Sequence, residues 1–299
     1  MSTPIDTIIE KSAKDSEQGP AADLETLPES GFYWREHDGV KVLVCRPLEA
    51  AGFANGFSTR LGGVSSLDGS SGGAELNLAG FNEDTRENIY ENRRRFLSAF
   101  TREYRLATAW QVHGDAVRFV KQHSDAGDSD ERADALISNL DDILLGVKTA
   151  DCVPVLLADP ATSAYAAVHA GWRGTVRSIV QRAIEAMIVE FSTSPVDLIC
   201  AIGPAAGCDR YEVGSDVIEA FGRSFADTEK YFRPTRDGHA TVDLKAANRD
   251  QLIAAGVNEE NIHVSELCTI DRVDLFFSYR IEKAKYGRTG RLMSVIGRL

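Results

Sequence analysis

The sequence predicts an α/β fold in which mixed sheets are covered by helices, and three observations carry that prediction. Short apolar runs recur along the chain, each bounded by Gly, Pro or Asp in the manner of buried strands. Longer stretches with apolar residues near helical spacing alternate with them. From residue 32 onward no clear linker divides the chain, so these elements are expected to share one core, and 299 residues are enough to bury a sizeable one.

Residues 1–28 are rich in acids, lack apolar periodicity and are interrupted by Pro4, Pro20 and Pro28; they are predicted to form a disordered acidic arm. Val40-Lys-Val-Leu-Val-Cys45 reads as a strand, and residues 56–60 as another running into the turn Gly62-Gly63. Residues 65–73 hold four serines and three glycines, which predicts a mobile loop long enough for a lid. Residues 85–100 carry acids early, arginines late and an apolar stripe, hence a surface helix with Arg93, Arg94 and Arg95 in solvent. An extended segment over 106–120, broken at Gly114, leads into a polar loop at 121–132.

Residues 142–158 contain two apolar runs flanking Thr149-Ala150-Asp151-Cys152, which reads as two buried strands meeting at a functional turn, with Pro154 excluding one long regular central strand. A strand from 164 ends at Gly171, and a helix over 175–191 with Thr175 as its cap follows. Further on, a strand at 197–202, helices at 215–225 and 244–255, and strands at 276–279 and 292–296 complete the reading.

Charge and cysteine usage narrow the function classes. The chain has 45 acids against 33 Lys and Arg, a net charge of -12, which argues against nucleic acid or a membrane surface as partner and leaves small polar or anionic molecules held by local arginines. Five cysteines without a CxxC pair are not a disulfide framework. With no basic apolar leader, no Arg-rich presequence and no run of about 18 apolar residues, a cytoplasmic location is expected.

His113, Cys152 and His169 each stand beside a glycine or at a turn where an apolar run ends. Such a set offers two imidazoles and a thiolate, suits Zn2+, and would leave one tetrahedral position open, as in catalytic sites. No short zinc signature joins the three. Two other readings of the same residues stay open: small buried side chains satisfied by packing, or a Cys152 nucleophile with His113 or His169 as base. Asp151, next to Cys152, is a candidate proton shuttle or a partner that orients a histidine. Arg60 and Arg173 lie beside glycines that let a ligand approach the backbone; with Asn77 they form the candidate substrate and phosphate contacts. Walker, GxGxxG, GxSxG, HExxH and classical deaminase motifs are absent.

Phe57-Ser-Thr-Arg-Leu-Gly-Gly-Val64, Gln111-Val-His-Gly114, Thr149-Ala-Asp-Cys152 and Val168-His-Ala-Gly-Trp-Arg-Gly174 occur in order, followed by Ile202-Gly-Pro204, Tyr211-Glu-Val-Gly214, Cys268-Thr269 and Phe276-Phe-Ser-Tyr-Arg280. This series resembles the YfiH-type family, labelled polyphenol oxidase or laccase-domain protein and later purine nucleoside phosphorylase, with peptidoglycan editing factors among its members. The resemblance covers residues 30–299. It implies a four-layer α/β/β/α sandwich with mixed sheets, a single catalytic domain over 29–299, and His113, Cys152 and His169 as ligands of a catalytic Zn2+. It also implies purine nucleosides and phosphate as small-molecule partners, phosphorolysis as the reaction, and adenosine deamination as a companion activity. A peptidoglycan-precursor hydrolase and a non-catalytic zinc nucleotide-binding protein are the alternatives. Six histidines without a His-x-His pair cannot build a multicopper centre, so Cu2+ at the same three residues is expected to be adventitious. The chain departs from the family in its longer Ser/Gly segment, in Cys208-Asp-Arg210 and in Lys283-Ala-Lys-Tyr286.

Overall fold

A computed structural model of the chain describes residues 31–67 and 74–299. The predicted acidic arm and most of the Ser/Gly loop lie outside these residues. The first sheet contains β1 (Phe32–His37), β2 (Val40–Cys45), β3 (Phe53–Ser58), β5 (Arg105–Trp110), β7 (Gly127–Arg132), β9 (Ile143–Thr149) and β17 (Leu292–Arg298), in the order β1-β2-β3-β17-β9-β5-β7. The second contains β6 (Val117–Phe119), β8 (Ala135–Ser138), β10 (Val153–Asp159), β11 (Ala164–Ala170), β12 (Ile199–Ile202) and β16 (Ile262–Val264), in the order β16-β12-β10-β11-β8-β6. Both sheets mix parallel and antiparallel pairs. A small third sheet has the order β13-β15-β14, from β13 (Glu212–Gly214), β14 (Phe232–Arg236) and β15 (His239–Val242).

Side-chain alternation along the strands builds the layers. On β9, Ile143, Leu145 and Val147 point between the sheets, where they meet Leu156 and Ala158 of β10 and Tyr165 and Ala167 of β11. Leu144 points the other way, with Val40, Val42, Val44, Met293 and Val295, to meet Phe96 of a helix on the outer face. Alternate residues of β10 and β11, Val155, Leu157, Ala166 and Val168, face a second helical layer. The result is a mixed α/β single-domain fold of four layers, α/β/β/α, as expected.

Seven α-helices occur among the described residues: α1 (Arg46–Ala50), α2 (Arg86–Leu97), α3 (Trp172–Val176), α4 (Ile179–Phe191), α5 (Ser215–Ser224), α6 (Leu244–Ala254) and α7 (Tyr279–Tyr286). Helix α2 begins where predicted, with Thr85 accepting from the Asn88 N–H as its cap. Its arginines differ from the expectation: Arg94 and Arg95 pair with Glu91 at the surface, but Arg93 is buried and grips both oxygens of Asp128 at 2.9 and 2.8 Å.

Three local expectations are corrected. The segment 121–132 is not all loop: β7 pairs in parallel with β5 as an exposed polar edge, held by main-chain bonds and by Asp128 rather than by an apolar face. The helix after Gly171 is two helices, because Ser178 adopts a left-handed φ of 60°; Thr175 lies inside α3, where its hydroxyl and carbonyl accept from Asn248 and Gln251 instead of capping. Residues 276–279 form no strand: Phe276 and Phe277 are loop anchors in a separate apolar cluster, and Tyr279 opens α7. As expected, no single long strand runs through 142–158, although Pro154 itself sits in a central strand. It is the second residue of a seven-residue β10, and its ladder to β12 starts one residue later.

Candidate metal centre

The turn Thr149-Ala150-Asp151-Cys152 leaves the first sheet on β9 and enters the second on β10. In the β10–β11 register Val153 faces Ala170, so Cys152 and Gly171 come together just past the end of the ladder. There His113 joins them from the loop between β5 and β6. One ligand atom from each of His113, Cys152 and His169 lies within 4.8 Å of the others, and the two imidazole rings stand nearly perpendicular with centroids 4.9 Å apart.

Asp134, at the start of the run into β8, organises this corner and was not singled out from the sequence. Its carboxylate accepts from the N–H groups of Val112 (3.1 Å), His113 (2.9 Å) and Gly114 (2.7 Å), and from His169 Nδ1 at 2.8 Å. Those bonds hold His113 in its left-handed backbone conformation, φ 58°, and leave Nε2 as the free nitrogen of His169. Burial pushes the Asp134 carboxyl up, yet the bond from His169 and the N–H groups hold it below the usual range. A carboxylate next to an apolar strand was the available sequence signal.

The donor set fits a metal ion on two counts. Burial alone would push the Cys152 thiol up, but His169 and His113 outweigh it and bring it down to about 6, so the thiolate is present at neutral pH. Burial pushes His169 down, and the Cys152 and Asp134 charges lift it to about 9, so an ion bound here would displace the proton on its Nε2. The cradle also depends on Gly171: a Cβ there would stand 2.9 Å from the His113 ring and 3.1 Å from Cys152 Sγ. Among the described residues this is the one group of three such side chains placed to hold a metal ion.

The triad opens on a cavity of about 910 Å³. Arg173 lies on its wall with its guanidinium 4.2 Å from the centre of the Trp172 ring, in α3 rather than ahead of a long helix. Arg60 does not line this cavity. Its guanidinium is closed in by Glu75 and by Glu282 at 2.8 Å, so the proposed anion contact is corrected to an internal ion cluster. Asn77 is likewise fully buried and away from the cavity; its Oδ1 accepts the Arg291 N–H at 2.8 Å. Asp151 touches no histidine. Its oxygens accept from Thr269 (2.7 Å), Ser278 (3.0 Å) and the Arg280 N–H (2.7 Å), tying the 269–280 segment to the turn, and the role of orienting a histidine belongs to Asp134.

Sequence reasoning gave no role to Tyr211, Arg280, Lys148 or Arg291, all of which line the cavity. The first two belong to the motifs of the resemblance. Cys45, Cys200, Cys208 and Cys268 are free thiols away from the triad, in line with packing roles.

Comparison with known proteins bears on these observations. A family model described as multi-copper polyphenol oxidoreductase laccase matches residues 54–299. Purine nucleoside phosphorylase YlmD of Geobacillus stearothermophilus is 35% identical over 266 residues, which are 86% of this chain and 94% of that protein. Purine nucleoside phosphorylase YfiH of Escherichia coli K12 is 34% identical over 256 residues, 86% and 98% of the two chains. A protein named adenosine deaminase RL5, from an unknown prokaryotic organism, is 40% identical over 187 residues, 60% and 71%. The crystal structure of YlmD from G. stearothermophilus aligns with a TM-score of 0.79 at 34% identity, covering 88% of this chain and 97% of that one. The six histidines, of which two share a site, do not make the several copper centres in the family's description. With its fold, its ordered motifs and its relatives in agreement, the chain belongs to the multi-copper polyphenol oxidoreductase laccase family, among relatives named YfiH and YlmD.

Proposed function

We propose that the protein is a metal-dependent purine nucleoside phosphorylase, converting a purine nucleoside and phosphate to the free base and ribose 1-phosphate. The observation that carries this reading is the position of the His113, Cys152 and His169 set: it opens on a cavity walled by aromatic rings and by arginines, of which Arg173, Arg280 and Arg291 meet no carboxylate at ion-pair distance among the described residues, whereas Arg93 is paired with Asp128. Relatives named purine nucleoside phosphorylase over nearly the whole chain support it.

His113, Cys152 and His169 would hold the ion, and two imidazoles with a thiolate suit Zn2+ over harder cations. When bound, such an ion supplies Lewis acidity at the cavity wall. Arg173, two residues past Gly171, would hold phosphate against C1′ of the ribose. An oxygen of phosphate forms the new bond to C1′ while the bond from C1′ to the base nitrogen breaks; its electron pair stays with the base, which takes up a proton. Tyr211 lines the same cavity, with the Arg280 guanidinium 4.8 Å from its ring centre. Burial and then the charge at Cys152 push its phenol up to about 12, so at neutral pH its hydroxyl is a donor for the departing base. The exposed ring of Trp110 offers a stacking surface.

Deamination of adenosine is the second reading, favoured by the relative named adenosine deaminase and by a three-residue set that leaves a ligand position open. One assay separates the readings. The protein is purified without added metal, its metals are measured by mass spectrometry, and it is incubated with adenosine and phosphate. Adenine with ribose 1-phosphate supports phosphorolysis, and inosine supports deamination. Cys152→Ala is expected to lower metal content and product formation at least about 100-fold. Wild-type turnover by that variant in metal-defined buffer would overturn the reading. Bound zinc without purine products, together with hydrolysis of a muramoyl-amino acid, would move the assignment to precursor editing.

A further inference from the structure

The cavity extends beyond the triad, over the outer face of the first sheet. In the β9–β17 register Lys148 faces Met293, so Arg291, two residues earlier on the antiparallel partner, projects from the same face. Both side chains line the cavity. The neighbouring strand is tied in by Gln111, whose side-chain amide donates to the Lys148 carbonyl and accepts from the Lys148 N–H, each at 2.7 Å. Trp110, 59% exposed, therefore stands next to Lys148, and Tyr279 lies on the Arg291 side with its ring centre 5.7 Å from that guanidinium.

The nearby acids are largely engaged elsewhere. Asp128 has both oxygens held by Arg93 while Thr108 donates to one at 2.8 Å, Asp134 accepts from His169 and three backbone N–H groups, and Asp130 lines the cavity wall without pairing to Lys148 or Arg291. Lys148 Nζ donates to the Ala109 carbonyl at 2.7 Å, and Arg291 Nη1 to the carbonyls of Thr289 and Gly290. Neither cation meets a carboxylate within ion-pair distance among the described residues. Arg291 is also held in place through its backbone: its N–H donates to Asn77 Oδ1 and its carbonyl accepts from Leu78. In a chain with a net charge of -12, two fixed cations on one cavity wall, held by main-chain carbonyls rather than paired with carboxylates, form a site for a dianion.

We propose that this lobe, over the C-terminal ends of β5 and β9, is a phosphoryl-binding subsite in which Lys148 and Arg291 grip the oxygens between the rings of Trp110 and Tyr279. Two positive charges match a phosphoryl group, which carries about -1.5 to -2 at neutral pH, better than a carboxylate. Burial holds the Lys148 ammonium down at about 8, and a bound dianion would raise it again. Arg173 lines the same cavity from past the end of β11 on the second sheet. Its use in catalysis rests on the phosphorolysis proposed above. The anion is either inorganic phosphate or a phosphoryl group carried by the nucleoside itself.

Calorimetric titration of the full chain at fixed ionic strength tests this, with inorganic phosphate alone in one arm and inosine 5′-monophosphate alone in the other. Lys148→Met and Arg291→Met, on separate strands, are each expected to weaken at least one ligand about tenfold or more. Lys121→Met, which removes an exposed charge elsewhere, is expected to change neither. Weakening with phosphate alone assigns the subsite to the co-substrate, and weakening confined to the monophosphate assigns it to the substrate's own phosphoryl group. Wild-type affinity in both Met variants, or no binding of either ligand to the wild type, overturns the subsite. Failure of the wild type to phosphorolyse any purine nucleoside, with these binding losses intact, overturns the proposed activity and leaves the subsite standing.

Discussion

Arg60 is closed in by Glu75 and Glu282, while Arg173 lies across Trp172 on a cavity wall with no carboxylate partner among the described residues. Both arginines stand beside glycines in the sequence, and both have the chemistry to hold an anion. Their difference comes from elements far along the chain. Glu282 arrives on α7 and Glu75 from the segment that pairs back on β4 (Leu61–Ser65), so the Arg60 charge is neutralised inside the fold. An arginine left able to meet a ligand is thus marked by the acids the fold keeps away from it.

The comparison breaks most directly at Arg60. Arg60→Ala leaves two largely buried carboxylates without their cation, and the expected cost is about 3–5 kcal/mol of stability, read as a shift in the denaturant midpoint. Adding Glu75→Gln and Glu282→Gln to that variant should restore part of the loss. An unchanged midpoint with a raised KM for phosphate would show that Arg60 faces the ligand after all.

Asp134 sharpens the contrast from the other side, because its buried charge is spent on positioning rather than on neutralising an arginine. Asp134→Asn disturbs the acceptor that serves His169 and three N–H groups, so metal affinity measured by chelator competition should fall about 10–100-fold. Wild-type affinity in that variant would leave the orientation of His169 without its assigned cause.

The smallest effect belongs to Asp128. Burial raises its carboxyl, but Arg93 and Thr108 bring it below its ordinary value of 3.8. A folded pKa below the unfolded one stabilises the fold fully above the unfolded value, and the contribution is lost as the pH falls through the folded value. Wild type should therefore exceed Asp128→Asn by about 1 kcal/mol at pH 7, and thermal melts should converge as the pH drops below 3.8. A gap that persists at the acid end would assign the effect to packing.

Much of the architecture was legible in the sequence because apolar alternation and caps are local. Val40–Cys45, Arg86–Leu97 and Leu244–Ala254 fall close to their expected limits. β7 was not legible, since an exposed edge strand with the sequence Gly-Asp-Ser-Asp-Glu-Arg carries no apolar period. Phe276 and Phe277 misled in the opposite sense: two adjacent buried rings look like strand but anchor a loop. The triad could be named from ordered motifs and not from spacing, because its members come from two turns and the end of β11, far apart along the chain. Asp134 and the Lys148–Arg291 pair depend on strand register, which no local pattern encodes.

The turn that carries Cys152 joins one sheet to the other, so the geometry of the site is a reading of how the two sheets are stacked. Of the layer between them, Leu145, Leu156 and Tyr165 touch no part of the cavity, yet the thickness they give it bears on how far His113, carried past the end of β5 on the first sheet, stands from the Cys152 sulfur and the His169 ring at the end of the second. Interior substitutions of unequal volume are in that sense adjustments of bite distance. They offer a route by which a lineage could drift in its preference among metal ions with every ligand left in place.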